Sequence, residues 1–371
     1  MNLAVISHCF PTQENLTAGN FLVPFLDEIQ KQGHHVWVIT PRMGAVIPCP
    51  YPAQTFPWRG GDRLLGQLRL WKPRDVYFLL KFLSEEKNTL LTMHETFHFD
   101  HALAVWLLPN ALAARALKHK FGVPYSTWSL GSDINRFIHN PLSRMLLKNL
   151  LIDADFLFAN SRHLCTQVNA LSRRNPVFLP TYRPLEKPAR AMIPRLRRGR
   201  IHFLCVARLE KVKGVDILID AFGDLVKTAG TGISLHILGD GSQRRVLEKT
   251  VREHNLGDTI TFYGAVQPIT VAAFLSAVDC LVLPSRSEGM PIAFWEAQGA
   301  GIPVIGTDVG DLGWAINTFG QGIVVPPENR HALQAAMQEL LRRGKQVLRK
   351  THHARPPHPR QIAQTFIQTV T

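Results

Sequence analysis

Cys280-Leu281-Val282-Leu283-Pro284-Ser285-Arg286-Ser287-Glu288-Gly289-Met290-Pro291-Ile292-Ala293-Phe294-Trp295-Glu296 is the stretch that decides how the chain is read. It opens with a short apolar run, the pattern of a strand buried in a parallel sheet. Gly289 permits a close turn, and Pro291 suits the first position of a helix over 291–300. Strand, turn and helix in that order make one unit of an open α/β sheet, and such sheets bind ligands outside the carboxyl ends of their strands. The amides of Ile292 and Ala293 would point from the helix N-terminus toward an anion such as a phosphate. Glu288 precedes the helix and Glu296 lies about 7.5 Å along it from Pro291, so the two carboxylates address different parts of one elongated ligand. A plainer reading has Glu288 capping the helix and Glu296 solvated on its outer face.

The same rhythm extends outward in both directions. Strands are expected at 201–206, 234–238, 259–263, 280–284, 303–307 and 322–325, with helices at 215–227, 243–254, 270–277, 291–300 and 330–342, which is one doubly wound domain. The strand at 201–206 runs into Ala207-Arg208-Leu209-Glu210-Lys211-Val212-Lys213-Gly214. Arg208 and Lys213 therefore stand at a strand's carboxyl end, where both can meet a diphosphate. Earlier in the chain, strands are expected at 3–7, 35–40 and 155–159 and a helix at 20–32. Residues 183–200, RPLEKPARAMIPRLRRGR, gather Pro and Arg without apolar periodicity, as a linker does. The expected division is a first domain at 1–185, a linker at 186–200, a second domain at 201–345, and a basic C-terminal segment with a helix at 346–371 that returns to the first domain. Two α/β domains joined this way would enclose a cleft.

A chain of 371 residues suits two such domains. Its 46% hydrophobic and 19% charged residues are ordinary globular proportions, which excludes a disordered or collagen-like chain. Forty-two Lys and Arg against 28 Asp and Glu give +14, a field that attracts phosphates, anionic lipid or nucleic acid. Residues 342–360 alone hold seven Lys or Arg and no acid. The five cysteines never fall in a CxxC spacing, so neither a disulfide framework nor a zinc site is indicated, and a reducing compartment fits. The opening MNLAVISHCFPT reads as a first strand and carries no export signal, so a cytoplasmic location is expected. The apolar stretch at 102–117 is interrupted by Pro109, Asn110 and Arg115, and any membrane contact would be peripheral.

Arg208 with Lys213-Gly214, then Leu238-Gly239-Asp240-Gly241, Phe262-Tyr263-Gly264-Ala265-Val266, and Glu288 to Glu296 with seven residues between, resemble the donor half of the family 4 retaining glycosyltransferases of GT-B fold. The resemblance continues through Gly299-Ala300-Gly301-Ile302-Pro303 and Gly322-Ile323-Val324-Val325-Pro326-Pro327, over about 140 residues. It implies two Rossmann-like domains facing a cleft and a hexosyltransferase that needs no metal or cofactor, with a UDP- or GDP-type sugar as donor. It further implies that Arg208 and Lys213 hold the diphosphate, Glu296 the ribose and Val266 the base. Glu288 would serve the transferring sugar, with Gly289, Met290, Pro291, Ile292, Ala293, Gly264 and Gly239 completing the donor pocket. Fixed cations and helix amides would stabilise the charge that builds on the leaving β-phosphate.

The first half resembles the family less closely, through Phe10-Pro11, Gly19-Asn20-Phe21, Trp106-Leu107-Leu108-Pro109, Gly131-Ser132-Asp133 and Asn160-Ser161. The family often carries a site histidine just before that last glycine motif's Gly, where this chain has Leu130. Gly19, Asn20, Asp133 and His98 are the acceptor-side candidates, although Asp133 also reads as a helix cap and His94, His98 and His101 each as structural. Asp153-Ala154-Asp155 spells a metal-binding DxD but precedes its strand, which makes it a turn, and Gly239-Asp240-Gly241 lacks dinucleotide spacing. The expected activity is sugar transfer from a nucleotide-diphosphate sugar to a glycan or lipid-linked acceptor in cell-envelope, exopolysaccharide or lipopolysaccharide biosynthesis, on an anionic membrane surface. A sugar-nucleotide epimerase or a phosphorylase of the same fold is the alternative. A nucleic-acid-binding protein rests on charge alone, without motif or interleaved aromatics.

Overall fold

Apolar runs separated by a dozen or more residues pair side by side in parallel only when each gap is spanned by a crossover. This chain does so twice. A computed structural model describes residues 1–61, 63, 65–69, 71–230, 232–319, 322–343 and 357–371. It divides into two units, Met1–Thr181 with Pro357–Thr371, and Tyr182–Pro356.

The first unit runs β1 (Asn2–Ser7), α1 (Leu22–Lys31), β2 (His35–Pro41), β3 (Ala53–Phe56), α2 (Pro73–Phe97), β4 (His101–Val105), α3 (Ala111–Phe121), β5 (Tyr125–Ser129), α4 (Ser132–Asn135), α5 (Pro141–Asp153), β6 (Phe156–Ala159), α6 (Arg162–Ser172) and β7 (Val177–Phe178). Its sheet is parallel, in the order β3-β2-β1-β4-β5-β6-β7. Alternation along β1 sends Ala4 and Ile6 into a core shared with Phe82 and Leu90 of α2, Ala114 of α3 and Leu150 of α5.

The second unit runs β8 (Ile201–Val206), α7 (Val215–Ala229), β9 (Ile233–Leu238), α8 (Arg244–Glu253), β10 (Ile260–Gly264), α9 (Pro268–Leu275), β11 (Cys280–Leu283), α10 (Ile292–Gly299), β12 (Val304–Thr307), α11 (Leu312–Phe319), β13 (Gly322–Val325) and α12 (Arg330–Arg343). Its parallel sheet has the order β10-β9-β8-β11-β12-β13. Phe203 and Cys205 of β8 pack with Phe222 of α7, Leu247 of α8 and Met337 of α12. Leu204 faces the other way, toward Phe274 of α9, Phe294 of α10 and Ile316 of α11. Helices on both faces and strand order that reverses at β8 and β11 are the doubly wound pattern.

A last helix, α13 (Pro359–Val370), belongs to the first unit. Phe366 is fully buried, with its ring 5.6 Å from Phe25 and 5.3 Å from Phe158. His358 and Gln361 form a reciprocal cap at its start. Residues 344–356, most of the basic stretch read at 342–360, lie outside the described residues.

Several expectations shift. The first helix begins at Leu22 because Gly19 to Asn20 belongs to a turn, and α9 begins at Pro268, two residues before its expected start. Pro291 is the N-cap of α10, with extended backbone, and the helix starts at Ile292. Leu185 and Leu196, read as linker, pack on the second unit's core beside Tyr182. Asp155 accepts from the Lys118 ammonium and the Tyr125 amide, both at 2.9 Å, so the DxD lookalike is a turn that ties β5 to β6.

Glu86, in the middle of α2, is fully buried, and neither carboxyl oxygen has a partner among the described residues. Burial pushes its carboxyl up to about 8. The folded chain therefore keeps a proton that the unfolded chain releases near pH 4.5, and stability falls as pH rises between those values. Glu86→Gln is expected to melt above the parent by a margin that widens from pH 5 to pH 8, as measured by circular dichroism. Phe366→Ala is expected to cost roughly 3–5 kcal/mol of first-unit stability, read by chemical denaturation.

Candidate functional site

In each sheet the strand order reverses once, and the crevice at that point is where an α/β sheet takes a ligand. In the second unit the reversal lies between β8 and β11. The loop after β8 carries Arg208 and Lys213, and the loop after β11 carries Glu288.

What brings these loops together is backbone contact. Gly214 has φ +64°, and a Cβ there would run into the carbonyl oxygen of Pro284. The Arg286 amide donates to Val212 O at 2.8 Å, and its guanidinium reaches Lys211 O at 2.5 Å and Asp216 at 2.7 and 2.9 Å. Burial raises the Asp216 carboxyl, but hydrogen bonds from Arg286 and Lys211 outweigh it and hold the group down at about 2. From the other side Gly310, φ +56°, lies against the carbonyls of Glu288 and Gly289, and the Asp311 amide donates to Gly289 O at 3.0 Å.

Held in this way, Lys213 Nζ donates to both oxygens of Glu288, at 2.7 and 2.8 Å, and Ser285 Oγ adds a third bond at 2.6 Å. Glu288 thus faces the loop cation and does not cap α10, whose N-cap Pro291 offers no side-chain acceptor. The Arg208 side chain is exposed and has no hydrogen-bond or ion-pair partner among the described residues. Arg208 and Lys213 are the cations that a phosphate would meet at this edge.

Glu296 is 4% exposed, which excludes a solvated outer face. Arg183, from the segment that begins the second unit, pairs with its Oε1. Burial pushes the Glu296 carboxyl up, against the lowering pull of Arg183. Gly239 donates its amide to Gly264 O at 2.7 Å, closing the edge beside Val266, which is half-buried. Met290 is buried in the core, while Gly289, Pro291, Ile292 and Ala293 are partly exposed at the start of α10. Arg183 and Arg286 were not singled out in the sequence, since their partners Glu296 and Asp216 are far away in the chain.

In the first unit the reversal lies between β1 and β4. The loop after β1 brings His8, Gly19 and Asn20 there, and the loop after β4 brings Trp106 and Asn110. The Asn110 side-chain amide hydrogen-bonds His8 Nδ1 at 3.1 Å, and the Trp106 ring lies 4.9 Å from the imidazole. Burial pulls His8 down to about 4, so the imidazole is neutral. Two acceptor-side candidates are corrected. His98 is the exposed C-cap of α2, before β4, and so lies at the amino edge of the sheet, opposite this site. Asp133 is buried and accepts from the amides of Leu107, Leu130 and Gly131 at 2.7, 3.1 and 2.8 Å, which makes it a tie between loops. His101, also buried, bonds Ser126 Oγ at 2.9 Å, and His94 Nδ1 accepts from the Phe99 amide at 3.1 Å.

Residues 191–355 match the family model described as Glycosyl transferases group 1. An uncharacterized glycosyltransferase of Methanocaldococcus jannaschii is 26% identical over 283 residues, 76% of this chain and 75% of that protein. Further curated relatives align over 35% to 40% of their own length. Anabaena HepE, solved in complex with UDP and glucose, superposes with a TM-score of 0.75 at 16% identity, covering 100% of this chain and 99% of that one. WaaG, a glycosyltransferase involved in lipopolysaccharide biosynthesis, gives 0.67 at 15% identity, covering 99% and 95%. These matches show an α/β GT-B fold of two Rossmann-like domains and support a group 1 glycosyltransferase.

The contact at Gly214 can be separated from its backbone conformation. Gly301 also has positive φ, +69°, but open space where a Cβ would be. Each variant bears the ~1–2 kcal/mol of a left-handed alanine, and Gly214→Ala is expected to lose measurably more than Gly301→Ala, the excess coming from the Cβ clash with the Pro284 carbonyl. Parallel urea titrations of the two variants measure the difference.

Proposed function

We propose that the chain is a retaining, metal-independent hexosyltransferase that moves a sugar from a UDP- or GDP-type donor to a glycan or lipid-linked acceptor in cell-envelope or exopolysaccharide biosynthesis. The observation that carries this reading is the set of Arg208, Lys213 and Glu288 at the β8/β11 reversal, with Glu296 buried nearby on α10. Arg208 and Lys213 take the diphosphate. As the bond from the anomeric carbon to the leaving oxygen breaks, negative charge grows on the β-phosphate, and preformed cations stabilise it at no cost of rearrangement. Removing one such donor commonly costs roughly 10²–10³-fold in rate. Glu288 takes hydroxyls of the transferring sugar, Glu296 takes the ribose through Oε2, and Val266 borders the base.

His8, Asn20, Trp106 and Asn110 form the acceptor side. A neutral imidazole beside an indole face suits a sugar hydroxyl and ring, and it offers an imidazole in a chain that has Leu130 where the resembled family often has histidine. Residues 1–190 hold 21 Lys or Arg and 13 Asp or Glu, a positive field that supports an acceptor at an anionic membrane surface. No helix of the described residues is long and apolar enough to cross a membrane, so that contact is peripheral in this reading.

Calorimetric titration with UDP, GDP and ADP, each with and without EDTA, tests the donor site. Micromolar binding of one nucleotide is expected, indifferent to EDTA and lost in Arg208→Ala. Glu288→Gln should retain nucleotide binding and lose turnover by at least a hundredfold. Binding of none of the three, or full turnover in both variants, overturns the assignment.

A further inference from the structure

A second basic cluster lies away from both strand reversals, where the chain passes from β3 to α2. Arg59, Arg63, Lys72 and Arg74 line a cavity of about 370 Å³ together with Asp75 and Phe78. Asp75 answers one of these cations, accepting from Arg63 Nη1 and from the Arg69 amide, both at 2.9 Å. Lys72 feels the Asp75 carboxylate without bonding it, and Arg59 and Arg74 have no ion pair among the described residues. Between residues 59 and 81 there are six Lys or Arg and two Asp. Like charges gathered around a cavity repel one another, and an anion relieves that repulsion.

The rim of this cluster is apolar where solvent exposure makes that costly. Trp71 is 77% exposed and Leu80 61%, with Tyr77 half exposed between them. The guanidinium of Arg69 lies 5.9 Å from the Trp71 ring, and that of Arg74 lies 5.2 Å from Phe78. The pattern recurs on α5, which packs on the same side of the sheet as α2: Leu142 is 75% exposed, Met145 is also exposed, and Arg144 and Lys148 stand beside them. Both helices begin at the carboxyl edge of the sheet, so these exposed first turns share one end of one face.

Cations that lie beside exposed indole, phenol and aliphatic groups match a phospholipid surface, whose phosphates sit just above the acyl chains. A polynucleotide would supply the phosphates but no partner for Leu80, Leu142 and Met145. We infer that this face docks on an anionic phospholipid bilayer, with a lipid phosphate in the cavity of Arg59, Arg63, Lys72 and Arg74 and with Trp71 and Leu80 entering the headgroup layer. The inference rests on the membrane-surface part of the proposed function and gives that contact a location. It is independent of the donor site.

Co-sedimentation of the full chain with vesicles tests it, using phosphatidylcholine alone and phosphatidylcholine with phosphatidylglycerol at 0.1 M salt, near one Debye length of about 10 Å. Arg59→Gln/Arg74→Gln should lose anionic-vesicle binding by roughly ten- to thirtyfold, as two interfacial cations imply. The charge-matched Arg245→Gln/Lys249→Gln, on the exposed side of α8 in the other unit, should stay within about twofold, since it leaves the inferred face intact. Trp71→Ala should weaken binding without changing the melting curve, because the indole is almost wholly in solvent. Equal losses in the two double variants overturn the location while leaving the membrane reading. No preference for anionic vesicles overturns both. Inorganic phosphate or a single-stranded oligonucleotide displacing the vesicles at low concentration assigns the cluster to that ligand and overturns the lipid. In every variant the nucleotide titration should be unchanged, so a failed donor site is seen separately.

Discussion

The absence of a side chain at residue 214 governs the second unit's functional edge. With no Cβ in the way, the turn after β8 can lie directly on the carbonyl of Pro284, and Lys213 is carried to within hydrogen-bond reach of Glu288. Arg286 fixes the same two loops from above through Asp216 and the Lys211 carbonyl, and Gly310 presses on the carbonyls of Glu288 and Gly289 from the third side. The Lys213–Glu288 pair is therefore a consequence of main-chain packing. Both partners are mostly withdrawn from solvent, so removing either alone strands a charge, at a cost of roughly 3–5 kcal/mol. A ligand that offers an anion to one and hydroxyls to the other can separate them without stranding either, which is the chemistry of a sugar diphosphate.

Glu296 illustrates the same logic at greater depth. A carboxylate this buried would ordinarily be expelled or protonated, and Arg183 is what retains it. Arg183 occupies Oε1, and a carboxylate can accept about four hydrogen bonds over its two oxygens. Under the proposed function Oε2 is thus left for a hydroxyl pair, and a ligand need not displace the arginine. Tyr182 and Leu185, next to Arg183, pack on the core beneath α10, so the segment that opens the second unit is a working wall of its site.

How much of this could be read from sequence depended on whether burial and polarity agreed. In the second unit they mostly do: apart from His202, Ser234 and His236 the strands are short and apolar, and each element but α11 was legible. That helix was missed because the turn residues Asp308, Gly310 and Asp311 lead into it and Gly313, its second residue, reads as more of the same turn. In the first unit they disagree. Ser126, Thr127 and Ser129 of β5 are buried yet polar, β4 opens on a buried histidine, and α2 buries Asp75 and Glu86. Alternation cannot be seen in such segments. At the site, Arg208, Lys213, Glu288 and Glu296 stand out because they lie close to a strand end or a helix start. Arg183 acts across 113 residues and Arg286 across 70, distances at which only the fold makes a neighbour. His98 failed for a topological reason: it lies before its strand, while the site lies after.

The two strand reversals divide the chemistry between them. At β8/β11 the groups are ionic and paired, as a polyanionic ligand requires. At β1/β4 they are a neutral imidazole, an amide and an indole, which bind hydroxyls and sugar rings without attracting a phosphate. The first unit's positive charge is instead concentrated beyond β3, at the far side of its sheet, and along the exposed turns of α2 and α5. At the β1/β4 reversal the same cations would draw anions to a site whose groups suit neutral hydroxyls. Placed on the flank, they leave the β1/β4 reversal electrically quiet, and under the proposed function docking and sugar selection would then vary independently of one another.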